Sequence, residues 1–142
     1  MDDKGQISAE YLLLIVVILT ILTAVTIPLM GQAIDASNDV SWTSDAKIAV
    51  ESTANAVNIV YANGPGSKRT FNVYIPQNNM KLQTRGNEIF IITNLSDGTL
   101  KNVSSTTNYN LNTTSITLNK TWHTLQVEWL TGQNQITIRR VN

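Results

Sequence analysis

From Tyr11 to Met30 the chain runs for twenty residues without a charged side chain, and sixteen of the twenty are apolar. As a helix rising roughly 1.5 Å per residue, that run extends about 30 Å, the thickness of a bilayer's hydrocarbon core. A soluble helix that is apolar all round needs a large protein to surround it, and 142 residues hold one domain with at most an added tail. The segment is therefore expected to span a membrane as a helix.

Its details set it apart from a plain anchor. Thr20, Thr23 and Thr26 recur every three residues, so they lie near one face, where a hydroxyl can donate to a carbonyl of the preceding turn. Pro28 then removes one helical N–H and invites a kink, with Gly31 three residues on. Beyond Met30 the helical spacing continues. Ala33, Ala36 and Val40, then Ala46, Val50, Ala54, Val57 and Tyr61, recur at three-, four- or occasionally six-residue intervals. This reads as an amphipathic stem, blurred by Trp42, Ile48 and Ile59. Asn63-Gly64-Pro65-Gly66 supplies a left-handed cap and then a residue that cannot continue a helix.

From Ser67 the period changes to two. Phe71, Val73 and Ile75 alternate with Thr70, Asn72 and Tyr74, and Leu125, Val127 and Trp129 alternate with Gln126, Glu128 and Leu130, as half-buried strands do. Turn residues at 76–79, 85–87, 96–98 and 131–134 separate such runs. Strands are expected near 69–75, 80–84, 88–93, 99–104, 115–119, 123–130 and 135–141, the last two joined as a hairpin by Thr131-Gly132-Gln133-Asn134. The fold class is α+β: a long N-terminal hydrophobic helix over 6–63, with its membrane segment at about 11–30, followed by a small antiparallel β head over 67–142.

Chemistry is sparse in this head. The chain has no cysteine, which excludes disulfides, thiolate metal sites and a cysteine nucleophile. His123 is its one histidine, and a lone imidazole in a strand reads as structural. The head's carboxylates are Glu88, Asp97 and Glu128, with no paired-acid spacing and no phosphate-cradling glycine loop. No catalytic residue, metal site or cofactor is assigned, and an enzyme is not expected.

Charge is balanced only on average. Met1 to Gly66 holds seven acidic and two basic side chains, and Ser67 to Asn142 holds three and eight. Lys68, Arg69, Arg139 and Arg140 read as solvent-facing charges; DNA, an acidic surface and the acidic stems of neighbouring copies are the partners they would otherwise fit.

The N-terminal order of features is the reverse of a secretory signal, which places its cleavage site after the apolar run. Here Lys4-Gly5-Gln6 precedes the run, and Gln6-Ile7-Ser8-Ala9-Glu10-Tyr11-Leu12-Leu13-Leu14 follows. This segment resembles the class III signal peptide of archaeal type IV pilins, whose Gln-x-Ser-x-Glu-x-x-x-Leu pattern is met by Gln6, Ser8, Glu10 and Leu14, after Lys4 and Gly5. The resemblance covers about the first 30 residues, and the helix-then-β layout is its looser support. The leader departs from the usual basic excess, because Asp2 and Asp3 accompany Lys4. An archaellin is the near neighbour, ranked lower.

The resemblance implies a leader of residues 1–5 removed between Gly5 and Gln6 by a membrane prepilin peptidase. It further implies assembly of identical subunits into an extracellular adhesive filament, driven through an assembly ATPase and a membrane platform protein. The precursor would reside in the cytoplasmic membrane and the mature form on the cell surface, with the adhesion target unspecified. Cleavage would free an α-amino group on Gln6, four residues from Glu10, and that pair would set the axial register of each incoming helix. Until then Glu10 lies one turn inside the helix, where the helix dipole favours negative charge by roughly 0.3 to 1 kcal/mol and headgroups are within reach. The alternatives are a minor pilin, or a signal-anchored surface protein whose β head is a binding module. Four Asn-x-Ser/Thr tripeptides, beginning at Asn94, Asn102, Asn112 and Asn119, are candidate N-glycosylation sites on an exported head.

Overall fold

The computed structural model describes the backbone from Asp3 to Val141 and the side chains from Ser8 to Val141. Its elements are one helix, α1 (Asp3–Asn63), and five strands: β1 (Lys68–Ile75), β2 (Met80–Asn94), β3 (Leu100–Leu118), β4 (Thr121–Trp129) and β5 (Ile136–Val141). The fold is thus a long N-terminal helix followed by antiparallel sheets. Two compact units divide the chain, Met1–Ser37 and Asn38–Asn142, and the second contains the C-terminal part of α1 together with every strand.

In the second unit the helix is part of the core. Ala46, Ala49, Val50, Thr53, Ala54, Ala56, Val57 and Val60 are all buried, a stripe at three- and four-residue spacing that small residues keep close to the sheets. The alanines and valines of this stripe form one cluster with Val73 and Ile75 of β1, Met80, Leu82, Ile89 and Ile91 of β2, Val103, Leu111 and Leu118 of β3, Leu125 and Val127 of β4, and Ile136 and Ile138 of β5. Thr53 sits in this stripe at no cost in unpaired polarity, because its hydroxyl donates to the Ala49 carbonyl at 2.8 Å. Val40, expected on the apolar face, is instead 71% exposed: buried packing begins only at Ala46.

α1 stops at Asn63. Gly64 takes a positive φ of 80° and its N–H donates to the Val60 carbonyl at 3.1 Å, closing the last turn. Gly66, also at positive φ, brings its N–H to 2.6 Å from the Trp129 carbonyl, which seats the start of β1 against the end of β4. A Cβ there would lie 3.2 Å from Thr131 Oγ1, so glycine serves both the conformation and the close approach.

The strands form two sheets, a three-stranded one ordered β1-β4-β5 and a two-stranded one of β2 and β3, with every pairing antiparallel. β4 is central, with Phe71 opposite Leu125 on one side and Arg140 opposite Leu125 on the other. β4 and β5 form the hairpin, with Trp129 opposite Ile136 and the turn between them.

The second sheet corrects the sequence reading. The four short strands expected at 80–84, 88–93, 99–104 and 115–119 are two long ones, and residues 85–87 do not turn the chain. Thr84 faces Thr114, Gly86 faces Leu111 and Glu88 faces Thr106, so β3 advances three residues and then five while β2 advances two at each step. The excess is a bulge in β3, not a loop end. Gly86 absorbs it with a φ of 61°, and side chains pin the extra residues. The Thr107 hydroxyl donates to the Tyr109 carbonyl, the Asn108 N–H donates to Asn58 Oδ1 of α1, and the Tyr109 hydroxyl donates to the Asn134 carbonyl at 2.6 Å. Tyr109 also meets Trp129 and Tyr61, whose rings stack on each other at 6.1 Å. Among the described residues no buried side-chain polar atom lacks a partner.

Candidate functional site: the apolar N-terminal helix

In the first unit the described residues of α1 are exposed. Fifteen large apolar side chains between Tyr11 and Met30 are 46% to 68% exposed, and the most apolar stretch of the helix has no buried residue. If each is about half open and full burial is worth roughly 1.5 to 3 kcal/mol, the uncovered apolar surface amounts to on the order of 10 to 20 kcal/mol. That is comparable with the whole stability of an ordinary domain, about 5 to 15 kcal/mol, so the segment needs an apolar surrounding.

Its polar groups suit such a surrounding. Thr20 Oγ1 donates to the Val16 carbonyl at 2.8 Å and Thr23 Oγ1 to the Leu19 carbonyl at 2.7 Å, so both hydroxyls are satisfied within the helix. With Val16, Leu19, Ala24, Ile27 and Pro28 these threonines line a shallow groove along one face. Pro28 lies inside α1, which continues beyond it without interruption. Gly31 has open space around it.

The motif residues lie at the start of this helix. Ser8 and Glu10 are exposed, and Leu14 is 53% exposed. The side chains of Lys4 and Gln6 lie outside the described residues, and with them the expected pairing of Gln6 and Glu10 and any account of the Gly5–Gln6 processing site. Glu10 has no ion pair among the described residues.

The second unit places the other predicted residues. Asn94, Asn102, Asn112 and Asn119 are all exposed. His123 is half-buried, with Nε2 at 2.8 Å from the Asn119 carbonyl, a structural contact. Of the four basic residues singled out, Lys68, Arg69 and Arg140 are exposed, whereas Arg139 is engaged: its guanidinium donates to Gln126 Oε1 at 2.6 Å and to Glu128 Oε2 at 3.2 Å. No group of three metal-ligating side chains occurs among the described residues.

Two contacts of the stem have no signal in the sequence. Asp39 Oδ1 accepts both the N–H and the hydroxyl of Ser96, each at 2.8 Å and 57 residues away. Lys47 Nζ donates to the Ser104 carbonyl at 2.7 Å while pairing with Glu51 at 3.4 Å. The first clasps the β2–β3 turn to α1, and so one stem carboxylate is already engaged within its own chain. In the same turn Asp97 Oδ1 accepts the Thr99 hydroxyl and N–H, and these bonds, the hydroxyl's first, hold its carboxyl below the ordinary 3.8.

Residues 4–29 match the family described as Class III signal peptide. No curated protein and no solved structure matches the chain. The matched span covers Lys4, Gly5, Gln6, Ser8, Glu10 and Leu14, the set on which the sequence resemblance rests, and it continues through the apolar helix to Leu29. A class III signal peptide on an exposed apolar helix is the arrangement of a type IV pilin-like precursor.

Proposed function

We propose that this pilin-like precursor is the structural subunit of an extracellular archaeal type IV-like adhesive pilus. The leader, residues 1–5, is removed between Gly5 and Gln6 by a prepilin peptidase. The mature helix leaves the membrane and packs among the helices of identical subunits, with the β head outward. The observation that carries this reading is the run of fifteen apolar side chains left open between Tyr11 and Met30 behind a class III signal. Lipid shields these side chains before assembly and neighbouring helices shield them afterwards, so apolar burial alone gives little net drive. Extraction therefore requires work from an assembly ATPase acting through a membrane platform protein, and Pro28 supplies a flexible point for the transfer.

Glu10 is the specific element. In the polymer it sits away from water, where an unpaired carboxylate costs several kcal/mol, and the amine freed on Gln6 is the cation that answers it. That pair, within one subunit or between neighbours, fixes each helix at one axial position. Sheared fibres whose subunits begin at Gln6 support the proposal; an intact Met1 retained in the membrane fraction instead marks a signal-anchored surface protein. Glu10→Gln and Glu10→Leu should be processed yet assemble poorly. Normal yields of fibre from either would sink the register role and leave the pilus reading standing.

A further inference from the structure

Attachment of a sugar to a sequon makes two demands. The asparagine Nδ2 must be free to act as nucleophile, and the hydroxyl two residues on must be open to the transferase. The four tripeptides meet these demands unequally. At Asn94 the third residue, Ser96, has both its hydroxyl and its N–H committed to Asp39. Asn102 lies within the β2–β3 ladder opposite Ile92, its middle residue Val103 is buried, and the Ser104 carbonyl holds Lys47. Asn112 is in β3, where Thr84 bonds both the Asn112 carbonyl and the Thr114 N–H.

Asn119 differs in lying between strands and in the hydroxyl of its third residue. Asn119 and Lys120 fall between the end of β3 at Leu118 and the start of β4 at Thr121, and all three residues of the sequon are exposed. Its side-chain oxygen receives the Asn79 N–H at 3.4 Å, and Nδ2 has no partner among the described residues. The Thr121 hydroxyl likewise makes no hydrogen bond among the described residues, although Thr121 opposes Ile75 at the first position of β4. The bend is supported from outside, by Asn78 Oδ1 accepting the Lys120 N–H at 2.9 Å and by the His123 ring at the Asn119 carbonyl. It is thus a fixed protrusion with its reacting atom unengaged.

We infer that Asn119 is the glycosylated residue of the head, acceptor of an oligosaccharide from a lipid-linked donor once the head has been exported. Nδ2 attacks the anomeric carbon of the donor's first sugar, a C–N bond forms, and the bond from that carbon to the lipid phosphate breaks. The phosphate leaves with the electron pair, Nδ2 gives up one proton to the transferase, and nothing is oxidised or reduced. This inference rests on the pilus reading only in requiring an exported head.

The test is peptide mass mapping of fibres sheared from the producing cells. The peptide holding Asn119 should carry a sugar mass, which Asn119→Gln and Thr121→Ala should both abolish and Thr121→Ser should retain. Thr121→Ala leaves the asparagine in place, so loss there reports the acceptor requirement and not a change at residue 119. Fibres whose Asn119 peptide is bare, including fibres modified only at Asn94, Asn102 or Asn112, would overturn the inference and leave the pilus reading intact. A glycosylated Asn119 on a chain that keeps Met1 and never enters a fibre would support the inference while defeating the pilus reading.

Discussion

Val57→Ala should destabilise the head far more than Ile48→Ala, although the isoleucine change removes more atoms. Both residues lie on the stem part of α1. Val57 is fully buried in the cluster shared with both sheets, and Ile48 is 58% exposed. Deleting two buried carbons forfeits about 1.6 kcal/mol of transfer free energy, and a cavity that only partly collapses adds roughly another 1 kcal/mol, for a total of about 2 to 3 kcal/mol. Truncating Ile48 removes surface that is mostly in water already and replaces a β-branched residue with the best helix former, so its net cost should be under about 0.5 kcal/mol. For a unit of this size, 1 kcal/mol corresponds to a melting shift of about 4 to 8 °C. The valine variant should therefore melt roughly 10 to 20 °C lower, and the isoleucine variant within a few degrees of the parent. The assay is thermal unfolding of the detergent-solubilised full chain, followed by tryptophan fluorescence and near-UV circular dichroism. Equal shifts, or a larger one for Ile48→Ala, would refute the claim that the C-terminal part of α1 belongs to the core of the β head.

Asp39→Ala should free the β2–β3 turn. Amide exchange at Ser96 should accelerate markedly while that of the buried strand residues stays unchanged, with a stability loss of about 1 kcal/mol for two bonds to an accessible carboxylate; unchanged protection at Ser96 would count against the clasp. Thr99→Val should raise the Asp97 pKa toward 3.8, since the hydroxyl is the larger of the two causes holding it down. A depressed folded pKa contributes stability that is present above the ordinary value and lost as pH falls through the folded one. The parent should thus lose this small contribution on acidification, and the valine variant, which keeps the Thr99 N–H bond, should show only part of it. An NMR titration of the Asp97 carboxyl that is the same in both would contradict the assignment. Thr20→Val should leave membrane insertion and helix content unchanged, because the hydroxyl already bonds to its own helix; a large change in either, measured by carbonate extraction and circular dichroism, would show that Thr20 bonds to another chain instead.

The sequence discloses those features whose cause is local. A twenty-residue uncharged run can be read without knowing its surroundings, and the change of period at Ser67 marks the passage from helix to strands. The Gly64 cap and the β4–β5 hairpin are equally local, each set by a few residues of turn chemistry. The β2–β3 ribbon escapes such a reading for the same reason. Arg85-Gly86-Asn87 has the composition of a turn, but whether a glycine at positive φ reverses a strand or bulges it depends on what the partner strand offers. Here the partner offers Thr107 to Asn110, anchored by Asn58 and Asn134 from distant parts of the chain, and no short window contains that information. Asp39 and Ser96 likewise meet only through the fold. The sequons are legible as patterns and indistinguishable as acceptors; what separates them is hydroxyls and amides engaged by residues up to 57 positions away.

The two units also divide the energetics. In the Asn38–Asn142 unit the helix stripe and both sheets share one apolar cluster, and among the described residues no buried side-chain polar atom lacks a hydrogen-bond partner. In the Met1–Ser37 unit the Thr20 and Thr23 hydroxyls are satisfied within the helix, but the apolar surface of the described residues is open. The apolar helix of the first unit fits membrane insertion, and the bundle proposed above would cover it as well. Either surrounding, membrane or bundle, covers the same side chains. The choice between them must then rest on a group that distinguishes the two, and the only charged side chain between Gly5 and Ile34 is Glu10. In lipid it is tolerated near the headgroups, and in a bundle it requires a cation. On the proposed reading, release of an amine four residues away would supply that cation when the leader is lost, and cleavage would then be the step that favours polymer over membrane.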